Sequence, residues 1–201
     1  GVTKQEAQVQ VAVLKRLLRG EPVDPASLSA ATGFTETVVG AALATLHAAG
    51  ALYLADGMVM AAYPLSAVPT RHRLRIGRSL IYANCAVDAL AVSCMADGRV
   101  DIESECAACG KAITIQMIGE HILASHPEAP VLFHVARGRH EAGPAVLTRC
   151  PQINFFCSAE HAERWRAAHP ELEGAVLTLP QGVARAREIF DRVISSVGGA
   201  R

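Results

Sequence analysis

Two cysteines and one aspartate in this chain are of the residue types that chemistry on a soft metal requires. Cys85 and Asp88 are three residues apart, and on a helix this spacing puts a thiol and a carboxylate on one face. A second thiol, Cys150, lies far along the chain, shortly before an aromatic stretch. Two thiolates can hold a soft metal while a carboxyl group moves a proton. The spacing of Cys85 and Asp88 is equally compatible with a buried cysteine and a surface aspartate on an ordinary helix.

The Cys106-x-x-Cys109 motif can supply half of a tetrahedral zinc site. The other half needs two more ligands, and the sequence contains no second CxxC. Cys94, His121 and His126 are available, but nothing in their spacing places them beside the motif. The sequence therefore favours a different interpretation, in which one thiol of the pair is structural and lies in a strand-to-strand turn.

Cys150 and Cys157 flank a segment that contains Phe155 and Phe156. We expect both aromatic side chains in the core, and a thiol beside them can also line an apolar pocket. The histidines form no HxH or HExxH pattern, and the chain has no GxGxxG, Walker or GxSxG motif.

The composition limits the class of protein. The chain has 201 residues, 51% of them hydrophobic, with 19 Lys+Arg against 19 Asp+Glu. This charge balance argues against a strongly basic nucleic-acid binder, though not against a weak one, so we do not expect a nucleic-acid partner. No apolar run approaches the roughly 20 residues of a membrane span, and the N-terminus lacks the layout of a signal peptide. We expect a cytoplasmic protein with no membrane partner, whose reduced thiols bind metal, act in catalysis or lie buried.

The first third of the chain predicts a winged-helix-like domain over residues 1–66. Apolar spacing and caps indicate three helices, and Asp56-Gly57 between two apolar runs indicates a hairpin. The predicted helices cover residues 8–18, a segment that starts at Pro25, and residues 36–49.

The remainder, residues 67–201, predicts a catalytic domain of short, mostly antiparallel strands surrounded by helices, so that the whole chain is α+β. Residues 64–69 are interpreted as a linker, and a glycine-rich loop is expected before residue 145. Strands are predicted over residues 71–76, 99–103, 112–117, 131–135, 145–147 and 153–157. Helices are predicted within residues 79–95 and over residues 159–168 and 181–197.

Three segments together resemble the central signature of the organomercurial lyases, also called alkylmercury lyases. They are residues 84–90, residues 98–100 and residues 104–110. The N-terminal part is similar too, and the resemblance covers roughly residues 10–195. The most specific part of the resemblance is the Cys85-x-x-Asp88 motif combined with Cys150 at the distance along the chain that is typical of the family. The later residues that follow the family's order are Cys150, Phe155, Phe156, Trp165, Glu173 and Gly174.

The resemblance implies an enzyme that cleaves carbon–mercury bonds by protonolysis, giving a hydrocarbon and Hg(II). It assigns catalysis to Cys85, Asp88 and Cys150, gives the same three residues as ligands of the mercury product, and makes Cys106 a structural cysteine. It also implies that no cofactor is bound and that exogenous low-molecular-weight thiols are needed for turnover. The expected partners are organomercurial small molecules, these thiols and a mercuric reductase.

Departures from the family pattern leave two alternatives open. Asn84 and Val87 stand close to the first catalytic cysteine, where a tryptophan is common, and the extra thiols Cys94, Cys109 and Cys157 have no assigned role. One alternative is a thiol-based metal-binding or metal-sensing protein whose winged helix binds DNA. The absence of Lys and Arg from residues 36–49 argues against it. The other is a divergent lyase that acts on another organometal.

Overall fold

The computed structural model describes residues 3–137 and 143–198. The helices are α1 (Lys4–Leu18), α2 (Pro25–Thr32), α3 (Glu36–Ala48), α4 (Ala86–Met95), α5 (Ala145–Thr148), α6 (Ala159–Ala168) and α7 (Leu179–Gly198). The strands are β1 (Leu52–Ala55), β2 (Met58–Ala62), β3 (Leu65–Ser66), β4 (His72–Ile76), β5 (Ser79–Ala83), β6 (Arg99–Glu105), β7 (Ala112–Ile118), β8 (His121–His126), β9 (Val131–Arg137), β10 (Asn154–Phe156) and β11 (Glu173–Thr178). Within these residues the fold combines helices with antiparallel sheets, which confirms the α+β class.

The N-terminal helices begin where side-chain caps satisfy free backbone N–H groups. Thr3 forms a capping box with Glu6 at α1, and Asp24 and Thr35 cap α2 and α3. The β1–β2 turn places Asp56 and Gly57 at positive φ, the conformation that a tight hairpin turn requires. Three helices and a hairpin thus follow in the predicted order, while their assignment as a winged-helix domain remains a prediction.

The predicted linker over residues 64–69 is wrong, because two of its residues form strand β3. Leu65 and Ser66 are buried, and β3 pairs with β2 on one side and with β5 on the other. The strand order of the larger sheet is β1-β2-β3-β5-β4-β6-β7-β8. The hairpin is therefore continuous with the strands that follow it, and the domain boundary after residue 66 stays a prediction.

Helix α4 is the centre of the core. Every residue from Ala86 to Ser93 is buried, so the helix is enclosed on all sides rather than along one stripe. It contacts strands of the larger sheet, strands β9 and β10, and α7. A helix enclosed in this way has little freedom to shift, and both of its ends are held in place.

The smaller sheet has the order β10-β9-β11, with all pairs antiparallel. Phe155 and Phe156 of β10 are fully buried, as predicted. Trp165 of α6 packs against Phe133 and Phe156, with ring centroids 5.2 and 5.6 Å apart. These aromatic contacts hold α6 on the smaller sheet.

Other expectations are corrected. Residues 145–147 form the start of the short helix α5 instead of a strand, because a short apolar run does not by itself distinguish the two. Strands β5, β8 and β11 were not predicted. Strand β5 occupies the start of the segment 79–95 in which only a helix was expected, and β8 and β11 contain no buried residue and lack a clear apolar alternation. Most of the glycine-rich loop expected before residue 145 lies outside the described residues. No helix in the described parts of the chain is long and apolar enough to cross a membrane.

Gly182 tests how tightly α7 packs on the core. A Cβ added there would lie 2.6 Å from Leu132 Cδ2 and 2.8 Å from Leu90 Cδ1, and both leucines are fully buried. We expect Gly182→Ala to lower the free energy of unfolding by about 1–3 kcal/mol through overpacking. The measurement is urea-induced unfolding of the variant and the parent protein.

The matched control is Gly40→Ala on the exposed side of α3, where an added Cβ meets no atom within 4 Å. This change should raise the free energy of unfolding by up to about 1 kcal/mol, because alanine favours the helix. Equal stability of Gly182→Ala and the parent would show that α7 is not tightly packed on Leu90 and Leu132.

Candidate active site

Cys85 and Asp88 are brought together by the start of α4. Cys85 is the N-cap residue, with φ −154° and ψ 177°, and its Sγ accepts the backbone N–H of Asp88 at 3.5 Å. The expectation that both residues lie on one helical face is therefore wrong for Cys85, which precedes the helix. Residues at the N-cap and three positions later are nevertheless neighbours, as in a capping box. The spacing of three brings the thiol and the carboxyl together through the cap.

Cys150 reaches the same place from a different part of the chain. It begins a short 3₁₀ helix, Cys150–Gln152, that leads into β10. The backbone N–H of Ala86 donates to the carbonyl of Ile153 at 3.0 Å, which holds this segment against the first turn of α4. The two Sγ atoms and a carboxylate oxygen of Asp88 all lie within 4.8 Å of one another. The structure thus brings together the three residues that the sequence singled out.

The three residues open onto a mostly apolar pocket of about 260 Å³. Gly50 and Tyr63 contribute to it from the N-terminal part of the chain, and Phe190 contributes from α7. The other lining residues are Val87, His134, Ala145, Arg149, Ile153 and Ile189. An apolar cleft with a few converging reactive groups is the usual form of a small-molecule site.

Several lining residues were missed by sequence reasoning. Tyr63, His134 and Arg149 belong to no motif, and the adjacency of Arg149 to Cys150 is the one local signal among them. The Tyr63 hydroxyl accepts the backbone N–H of Val146 at 3.0 Å. This bond fixes α5, just before Cys150, against the N-terminal part of the chain.

Burial favours the protonated forms of Cys85 and Asp88. Cys85, Asp88 and Cys150 expose only 2%, 4% and 6% of their surface. Loss of solvation raises the pKa of Asp88 to about 7, against the opposing effect of the Asn84 and Cys85 side chains. Among the residues that the structure describes, Oδ2 of Asp88 has no hydrogen-bond partner. Burial also raises the pKa of Cys85, and the neighbouring Cys150 and Asp88 add to the increase.

Burial also shifts the pKa values of two neighbouring groups, in each case towards the uncharged form. Burial raises the pKa of the Tyr63 hydroxyl. Burial, with the nearby Arg185 and Arg149, lowers the pKa of His134, so this imidazole is neutral at pH 7. The pocket therefore combines a carboxyl group that holds its proton up to about pH 7 with two cysteines, whose thiolates are the ligands that a soft cation selects.

A second cluster of possible metal ligands lies outside this pocket, and the residues that join the CxxC motif there are not the ones that the sequence suggested. Cys106 and Cys109 are joined by Cys157 and His161, and one ligand atom from each lies within 4.8 Å of the others. Neither His121 nor His126, both in β8, belongs to this cluster. Cys94 is separate from both clusters, and its thiol donates to the carbonyl of Leu90 at 3.6 Å.

The raised pKa of Asp88 predicts a pH-dependent stability of the metal-free protein. The ordinary pKa of 3.8 applies in the unfolded chain and about 7 in the folded protein, so the folded state binds the proton more tightly. Stability associated with Asp88 is therefore lost as pH rises from about 4 to about 7.

Replacing Asp88 with asparagine should remove this effect. Between about pH 5 and about pH 8, the free energy of unfolding of Asp88→Asn should rise relative to the parent by up to about 3 kcal/mol. Urea unfolding of both proteins at the two pH values measures the change, and groups common to both cancel. A constant difference would mean that Asp88 is ionised across the whole range.

Comparison with known proteins places this geometry in a family. Residues 65–191, more than half of the chain, match the alkylmercury lyase family model. An alkylmercury lyase of Staphylococcus epidermidis is 29% identical over 159 residues, which cover 79% of this chain and 71% of the relative. An alkylmercury lyase of Pseudomonas putida is 27% identical over 168 residues, which cover 83% of this chain and 76% of the relative.

The fold has a counterpart among solved structures. A crystal structure of the mercury-bound form of MerB2 matches with a TM-score of 0.80 and 26% sequence identity. The match covers 94% of this chain and 92% of that chain. The sequence resemblance and the α+β architecture thus agree. By its sequence and its fold, the chain belongs to the alkylmercury lyases, a family of enzymes.

Proposed function

We propose that this protein cleaves the carbon–mercury bond of organomercurial compounds by protonolysis, with Cys85, Asp88 and Cys150 as its catalytic residues. The observation that carries the proposal is the convergence of two thiols and one carboxyl group within 4.8 Å in a buried, mostly apolar pocket. The membership of the chain in the alkylmercury lyase family supports the choice of substrate.

The two thiols bind the metal. Mercury(II) is a soft cation and selects sulfur ligands over oxygen or nitrogen. Cys85 binds R–Hg⁺ as a thiolate, and its proton leaves with the anion that mercury carried. Cys150 then adds as a second thiolate and gives its proton to solvent or, through Asp88, to the reaction. The second sulfur pushes electron density through mercury onto the carbon atom, which becomes basic enough to accept a proton.

Asp88 provides that proton. Because burial raises its pKa to about 7, about half of the carboxyl groups still hold a proton at neutral pH, and this pKa suits a general acid. The proton, given directly or relayed from a cysteine thiol, moves to carbon. The electron pair of the carbon–mercury bond becomes the carbon–hydrogen bond. The products are a hydrocarbon and Hg(II) held by the two thiolates, with the Asp88 carboxylate beside it as a further ligand.

The pocket receives the organic group. Val87, Ile153 and Phe190 offer apolar surface beside the thiols. Gly50 and Tyr63 close one side, and with them the winged-helix-like N-terminal part contributes to the site. Exogenous low-molecular-weight thiols then exchange with Cys85 and Cys150, pass Hg(II) to a mercuric reductase, and complete turnover without a bound cofactor. Such a reaction serves mercury resistance, and we place it in the cytoplasm.

Variants of the two cysteines test their roles. With excess small thiol and phenylmercuric acetate, the parent protein should release benzene, measured by gas chromatography. Cys85→Ala or Cys150→Ala should abolish catalytic release, because a single thiolate cannot both bind mercury and raise its sulfur coordination. Cys94→Ala, which removes a thiol outside both clusters, is the control and should retain activity. Full activity in either of the first two variants contradicts the proposed pair.

A variant of Asp88 separates binding from proton transfer. Asp88→Ala should still bind mercury, because both thiols remain, but it should release benzene about 10²–10⁴-fold more slowly without its general acid. Mercury content and benzene release are measured on the same sample. Unchanged turnover would rule out the acid role of Asp88.

The same assay distinguishes the alternative functions. Tight stoichiometric mercury binding with no benzene from the parent protein would favour a metal-binding protein on this scaffold. Release of hydrocarbon from organotin but not from organomercury substrates would favour a divergent lyase.

A further inference from the structure

We propose that Cys106, Cys109, Cys157 and His161 form a structural zinc site that is separate from the catalytic pocket. Four side chains of metal-binding type converge here from two parts of the chain. None of them lines the pocket of Cys85 and Cys150.

The distances between ligand atoms match those around a tetrahedral zinc ion. Cys109 Sγ and Cys157 Sγ are 3.8 Å apart, and His161 Nδ1 lies 3.5 Å from Cys106 Sγ and 3.2 Å from Cys157 Sγ. Bond lengths of about 2.3 Å to sulfur and about 2.0 Å to nitrogen place two sulfurs roughly 3.8 Å apart and a sulfur and a nitrogen roughly 3.5 Å apart. A disulfide would need sulfurs at about 2.05 Å.

The first two ligands come from a turn that is already shaped for metal binding. Cys106–Gly110 lies in the connection between β6 and β7. The N–H of Gly110 donates to the carbonyl of Cys106 at 2.8 Å, and the N–H of Cys106 donates to the carbonyl of Lys111 at 2.8 Å. Gly110 has φ 72°, which favours glycine at the end of the turn. The closed turn brings both thiols of the CxxC motif to one cluster.

The other two ligands come from the junction of β10 and α6. Cys157 follows β10 directly, and His161 lies in the first turn of α6, whose N-cap is Ser158. The N–H of His161 donates to Ser158 Oγ at 3.3 Å, which fixes the start of the helix. The spacing is therefore Cys-x₂-Cys followed by Cys-x₃-His, and such Cys₃His sets are typical of structural zinc.

The chemistry of the donor set also favours a structural ion. Four protein ligands close a tetrahedral site and leave no open position for a substrate or water. Cys109 is exposed, and Cys157 and His161 are half-buried, so a hydrated ion can enter from solvent. Thiolates with an imidazole suit Zn²⁺ better than hard cations such as Mg²⁺ or Ca²⁺.

The site would connect the two sheets of the fold. The CxxC turn extends the larger sheet, whereas Cys157 follows a strand of the smaller sheet. The backbone N–H of Ala107 donates to the carbonyl of Phe155 at 3.1 Å in the same region. A zinc ion would reinforce this contact and hold the far end of the segment that begins at Cys150.

The test is the zinc content of protein purified under reducing conditions without added metal chelator. We expect one zinc ion per chain in the parent, measured by elemental mass spectrometry with protein concentration. A Cys85→Ser, Cys150→Ser double variant should keep its zinc, and Cys94→Ser is the matched single-thiol control. Cys109→Ser and His161→Ala should lose it, and both positions are accessible enough for the variants to fold.

A second readout identifies the ligands of the ion directly. X-ray absorption at the zinc edge of the parent should show three sulfurs at about 2.3 Å and one nitrogen at about 2.0 Å. Chelator should lower the melting temperature of the parent by several degrees and leave that of Cys109→Ser unchanged. Zinc-free parent protein, zinc retained by Cys109→Ser, or a Cys109–Cys157 disulfide in the reduced preparation would each overturn the proposal.

Discussion

The hydrogen bond from Ala86 N–H to the carbonyl of Ile153 is the contact on which the active site depends. The first turn of a helix leaves N–H groups without intrahelical partners, and at α4 one of them is satisfied by a distant segment. That segment begins with Cys150. Because the core encloses α4 on all sides, this N–H group is buried and needs a partner from another part of the protein. The segment that provides the partner also brings the second thiol to the first.

The same burial sets the protonation of the site. A carboxyl with little access to solvent keeps its proton to about pH 7, and a buried thiol keeps its proton well beyond its usual range. In water such groups would be a carboxylate and an ordinary thiol. Their enclosure by α4, the 3₁₀ helix at Cys150 and the side chains of Tyr63 and Phe190 gives Asp88 the raised pKa that the proposed proton donor needs.

Strand β10 links two thiol clusters with different geometry. At one end, Cys150 faces Cys85 and Asp88 in a pocket that has room for an organic group. At the other end, Cys157 meets Cys106, Cys109 and His161, whose ligand atoms surround a space of the size that one zinc ion occupies. Between them, Phe155 and Phe156 are fully buried, which makes the strand a rigid connection. One short strand thus lies between the proposed catalytic thiols and the proposed zinc ligands.

The sequence by itself determined the local features whose causes lie within a few residues. These include the caps of the N-terminal helices, the Asp56-Gly57 turn, the Cys85–Asp88 pair and, through resemblance, the addition of Cys150. It did not predict β3 or β11, because pairing with a neighbouring strand, rather than local pattern, makes these residues strands. Nor could it place Tyr63 in the pocket or Cys157 and His161 beside the CxxC turn. Only the tertiary structure decided those positions, since packing between elements far apart in the chain brings the side chains within bonding distance.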